Sequence, residues 1–100
     1  MSFYFINVKL EYALYAPDKA KRWALKPYAA DKEDVAFARR FIEWNTVEQG
    51  IQRVDACRTK DGQLLLVELE DLNPYLSLLE TEERVRDRFM QDFEEALQNA

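Results

Sequence analysis

Histidine is missing from this chain of 100 residues, and cysteine occurs once. A structural or catalytic zinc is thereby deprived of its usual nitrogen and sulfur ligands. Cys57 cannot close an internal disulfide. Together with the lack of a signal sequence and of an apolar run of about 18 residues, this leads us to expect a protein of the reducing cytoplasm. No imidazole is at hand to activate Cys57, so a small, half-buried packing role is expected of it. An arginine-rich stripe is also lacking. Lysine and arginine total 14 against 19 acids, for a net charge of −5, so neither duplex nucleic acid nor an anionic membrane is expected as the main partner. Repeats, low-complexity tracts and linkers are lacking too, and residues 1–100 are read as one domain.

Apolar material, by contrast, is ample. At 48% hydrophobic and 13% aromatic the chain can form a core, although a domain of this size buries only roughly 60–70% of the surface its unfolded form exposes. Phe3 to Tyr15 alternates as two strands with a turn at Asn7-Val8, where the β-branched Val8 resists the positive φ of a tight hairpin. Pro17-Asp18 reads as a turn. Lys21 to Lys26 is expected to be a third strand, with Arg22 and Lys26 on one face and Trp23 and Leu25 on the other. Asp31 is placed to cap a helix whose first turn is acidic. Val35, Ala38 and Ile42 form one stripe of it and Phe37, Phe41 and Trp44 the next, a broad arc expected to be buried on more than one side. Gly50 ends it. Further on, Tyr75, Leu76, Leu78 and Leu79 are too apolar to stand free in water and are expected to fold back over the sheet. Thr81 is the expected cap of a final helix in which Val85, Phe89, Met90, Phe93, Ala96 and Leu97 recur at helical spacing.

Between these helices, residues 51–76 read as two alternating strands joined at Asp61-Gly62. A two-residue turn pairs Lys60 with Gln63, and counting back sets Asp55 opposite Glu68 and Arg53 opposite Glu70. Those four side chains then share one side of the ribbon. Val54, Ala56, Leu65, Val67 and Leu69 fall on the other, the side expected to pack on helices. Carboxylates facing each other across a ladder repel unless something positive lies between them. A hard divalent cation is the simplest candidate, and Mg²⁺, typically held by one or two carboxylates plus phosphates and water, suits so sparse a set of oxygen donors. An open sheet face with solvated acids is the other reading.

The run Arg53-Val54-Asp55, a short hairpin, then Glu68-Leu69-Glu70 with Asn73-Pro74 after it, resembles the C-terminal catalytic hairpin of the ATP-grasp superfamily of carboxylate–amine and carboxylate–thiol ligases. The resemblance implies that Arg53 contacts nucleotide or acylphosphate oxygens and that Asp55 and Glu68 hold Mg²⁺ bridging the phosphates of ATP. Glu70 stands where many members have a metal-binding asparagine, and Asn73 is a further candidate ligand. Arg22 and Lys26 would add phosphate or carboxylate contacts if their face shares the cleft, and are solvated surface residues if it does not. The first hairpin and the helix after Asp31 resemble the segments that precede the catalytic hairpin in that superfamily, so the chain is expected to correspond to about its C-terminal third.

The expected fold is α+β: an antiparallel sheet of about five strands with two helices packed on one face, in the order ββ(β)αββα. Two functions follow. In one, the chain supplies the Mg²⁺- and phosphate-binding hairpin of an ATP-dependent carboxylate ligase and needs the rest of the nucleotide site from a longer product or a complementing ATP-grasp polypeptide. In the other, it is a non-catalytic binding or assembly module of the same descent that associates with itself as a homodimer.

Overall fold

The first hairpin sets the frame. Strands β1 (Ser2–Ile6) and β2 (Lys9–Tyr15) are joined by Asn7-Val8, and the positive φ falls on Asn7, at 54°, which spares Val8 the conformation it resists. In this computed structural model, which describes residues 1–18, 20–21, 23–45, 50–71 and 76–98, β1 also pairs with β4 (Ile51–Arg58), and β4 with β5 (Leu64–Glu70). A two-residue strand, β3 (Lys26–Pro27), pairs with the end of β2. The five strands are antiparallel in the order β3-β2-β1-β4-β5, as the α+β reading required. In place of the expected strand, the N–H groups of Lys21, Ala24 and Leu25 donate to the nearby carbonyls of Asp18, Lys21 and Trp23, and Trp23 is largely exposed.

Helix α1 (Lys32–Asn45) starts where expected, the Asp34 N–H donating to the Asp31 carboxylate at 2.9 Å. Helix α2 (Glu83–Gln98) begins two residues beyond Thr81, which instead closes a 3-10 turn over Leu78–Glu80. The helices do not share a face. Phe3, Phe5, Ala13, Val54 and Ala56 pack on Ala38 and Ile42 of α1, whereas Tyr4, Ile6, Tyr12 and Leu14 pack on Phe89 of α2, with Val85, Phe93 and Ala96 around it. The reason is visible in β1, whose Phe-Tyr-Phe-Ile run is buried at every position. A strand with no polar alternation belongs in a sheet covered on both sides. Leu76 and Leu78 fold back onto the α2 side as expected. Trp44, Leu79, Met90 and Leu97, expected in the core, are exposed.

Candidate functional site

The second hairpin reaches the expected register by an unexpected route. Its loop holds three residues, Lys60 to Gly62: Gly62 N–H donates to the Thr59 carbonyl at 3.0 Å, and Thr59 N–H to the Gln63 carbonyl at 2.8 Å. Gly62 has φ 82°, the positive value that a three-residue hairpin loop demands of its last position. This shifts the pairing by one, so that Arg58 faces Leu64 and Ala56 faces Leu66, until a bulge at Val67 shifts it back. Beyond the bulge Asp55 faces Glu68 and Arg53 faces Glu70. The bulge also corrects the apolar side: Leu64 and Leu69 pack against the core, while Leu65 and Val67 are more than half exposed.

Arg53 lies opposite Tyr4 across β1, which places the quartet on the α2 side of the sheet. Its Nε donates to both carboxylate oxygens of Asp55, at 2.9 and 3.1 Å, and a terminal nitrogen stands 3.9 Å from Glu68. The positive group between the facing acids is therefore Arg53 itself. Burial works against its charge, yet the contact with Asp55 outweighs this and raises its pKa. Tyr4 stacks on Tyr12 at 4.3 Å. Its hydroxyl pKa is raised, by burial above all and against the lowering effect of a hydrogen bond with Ser77.

Other expected site residues fall elsewhere. Lys26 is on β3, the edge of the sheet farthest from β5. It faces Tyr15, whose ring meets Tyr28 on the α1 side, so strand order and face both separate it from the quartet. Arg22, Asn73 and Tyr75 lie outside the described residues. Among the described residues, no three acidic side chains are grouped as a self-sufficient metal cage would require. The donor chemistry does fit a Mg²⁺ ion that arrives with phosphates, since such an ion takes one or two carboxylates from protein. Three carboxylates against one guanidinium also leave the face too negative to accept a polyanion without a cation.

Two polar groupings escaped the sequence. Asp34, buried at the start of α1, accepts from Tyr28 Oη at 2.5 Å and from Arg58 at 2.9 Å, and Arg58 also donates to the Gly62 carbonyl at 2.7 Å. Burial would raise the Asp34 pKa, but these two hydrogen bonds and the charge of Arg58 hold it below the ordinary value. The second grouping is Glu11. A bulge in β2, where Tyr4 faces Tyr12 but Phe5 faces Leu10, leaves Glu11 unpaired and turned inward with its side chain wholly buried. Apolar-polar alternation places Glu11 in solvent, and no sequence signal marks either bulge.

No family model and no curated protein matches the chain. Among solved structures it is similar to the crystal structure of D-cycloserine synthetase DcsG, an ATP-grasp ligase, with a TM-score of 0.56 and 19% identity. The likeness is one of fold: the five-stranded antiparallel sheet with two helices is consistent with part of an ATP-grasp-like fold. The match covers 91% of this chain and 37% of the synthetase, so the present chain spans little more than a third of that enzyme's length.

Proposed function

We propose that this chain carries the phosphate- and magnesium-binding hairpin of an ATP-dependent carboxylate ligase of the ATP-grasp type. The observation that supports this is the register: Arg53, Asp55, Glu68 and Glu70 stand on one face of β4 and β5, in the arrangement that the resemblance assigns to a catalytic hairpin, within an ATP-grasp-like fold. One or two of Asp55, Glu68 and Glu70 would hold the ion and Arg53 the transferring phosphoryl or acylphosphate oxygens. When bound, the ion neutralises phosphate charge and polarises the group in transfer. Arg53 keeps its proton throughout and exchanges its Asp55 contact for phosphate, so its charge lies where negative charge develops. Turnover would need residues beyond this chain to enclose adenine and the γ-phosphate.

A second reading is favoured by the Arg53–Asp55 contact, which already satisfies one of the three acids from within the chain. In that reading the hairpin is an inherited scaffold, and the chain is a self-associating assembly module. The exposed Leu65, Leu66 and Val67 on edge strand β5 would be the surface to cover.

Calorimetric titration with Mg²⁺ and a non-hydrolysable ATP analogue separates the two, with Glu68→Gln as the variant. Glu68 is half exposed and only distantly paired, so its replacement should change stability by no more than about 0.5 kcal/mol. Metal-dependent binding lost in the variant supports the ligase reading. No binding by either protein, with sedimentation showing a dimer, supports the scaffold.

A further inference from the structure

We propose that Glu11, with Asp92 and Lys9, forms a proton-operated latch between β2 and α2: the helix is docked while Glu11 carries a proton and is loosened when Glu11 releases it. Glu11 is the bulged residue of β2. Its side chain has no exposed surface, and among the described residues neither carboxylate oxygen has a hydrogen-bond donor. A charged carboxylate in that position is costly, because burial removes its water and no hydrogen-bond donor among the described residues replaces it. A neutral carboxyl carries a donor of its own, and Asp92 of α2, which stands with Glu11 around the Lys9 Nζ, is the acceptor we assign to it. The proton thus turns two facing acids into a hydrogen-bonded pair across the seam.

The surroundings settle which acid holds the proton. Lys9 Nζ lies 2.9 Å from Asp92 and 3.9 Å from Glu11, so the lysine secures the charge on Asp92. From α2, Arg88 donates to the Glu11 backbone carbonyl, and its charge favours ionised carboxylates less than burial and Asp92 oppose the ionisation of Glu11. Glu95 adds another acid on the same helix, lining with Glu11, Asp92, Lys9, Asn7 and Ala96 a cleft of about 320 Å³ at the seam. The result is a Glu11 pKa raised from 4.5 to about 7, by burial first and by Asp92 next, while Asp92 is lowered.

The sign follows. Between pH 4.5 and about 7 the folded chain holds a proton on Glu11 that the unfolded chain has lost, so docking weakens as pH rises through this window and levels off above it. The interval corresponds to an upper limit of roughly 300-fold in the opening equilibrium. Lowered Asp92 acts in the opposite sense, only on the acid side of its ordinary value.

The test uses the chain alone and does not depend on nucleotide binding. Nuclear magnetic resonance at pH 5.5 to 8 would follow the Glu11 carboxyl directly, along with amide exchange corrected for its intrinsic pH dependence. The expected result is a Glu11 midpoint near neutrality and a loss of α2 protection of tenfold or more across the range, with α1 protection constant and the effect absent in Glu11→Gln. Asp92→Asn should move the Glu11 midpoint downward, which keeps the test open if Glu11→Gln folds poorly. A Glu11 that titrates with the exposed glutamates, an Asp92→Asn midpoint that does not move, or α2 protection that merely tracks α1, would overturn the latch.

Discussion

Asp34 shows what a single side chain can do that its sequence position conceals. In the sequence it is one of several acids in the first turn of a helix, where the macrodipole alone accounts for it. In the fold it is buried and joins three elements: α1 that carries it, Tyr28 after β3, and Arg58 at the end of β4, which in turn holds the hairpin loop through Gly62. Charge-assisted bonds of this kind contribute about 1.5–3 kcal/mol, and the partial exposure of Arg58 screens some of that. Asp34→Asn should therefore cost about 1–2 kcal/mol in urea unfolding at neutral pH. Because the Asp34 pKa is lowered from 3.8, its contribution is full above that value and disappears as pH falls through the folded pKa. The variant and the parent should converge at the acid end, and a constant gap down to pH 2 would show that the carboxylate charge is not what joins these elements.

The second hairpin shows how a sequence reading can set Asp55 opposite Glu68 correctly while counting through two departures from ideal pairing. Alternation from Arg53 to Ala56 and the Asp61-Gly62 pair made both strands legible, and the pairing of Asp55 with Glu68 follows from a two-residue turn. The actual loop holds three residues, and the bulge at Val67 cancels the offset before the site is reached. Alternation cannot reveal that compensation, because the run of Leu64 to Val67 is apolar at every position and accepts either register. The same blindness hid Glu11, which only the bulge in β2 turns inward. Gly62 is where the loop can be tested. A methyl group there would meet no atom within 4 Å, so Gly62→Ala isolates the cost of a positive φ, about 1–2 kcal/mol. Its melting temperature should fall by roughly 4–8 °C per kcal/mol in a domain of this size. An unchanged melting temperature would mean that the loop readily adopts another turn.

At the scale of the whole molecule, the sheet is a partition between two cores, and this is where sequence reasoning misplaced a layer. Two amphipathic helices and alternating strands are equally compatible with one covered face or two. The deciding signal was β1, apolar at four consecutive positions from Phe3 to Ile6. Two covers also explain why so many aromatics are spent on a small domain: Phe3 and Phe5 serve the α1 side, and Tyr4 and Tyr12 the α2 side. The α2 cover depends heavily on Phe89, fully buried, edge-on to Tyr12 at 5.7 Å and beside Phe93 at 6.3 Å. Truncating such a residue typically costs about 3–5 kcal/mol, a large fraction of the roughly 5–15 kcal/mol that holds a domain together. Its neighbour Met90, expected in the core from its spacing, is half exposed, and Met90→Ala should cost no more than about 0.5 kcal/mol. Urea midpoints of the two variants therefore measure which way α2 faces. With Phe89 turned to the sheet and Met90 to solvent, Phe89→Ala falls far below Met90→Ala, whereas comparable losses would return α2 to the broader packing that its sequence first suggested.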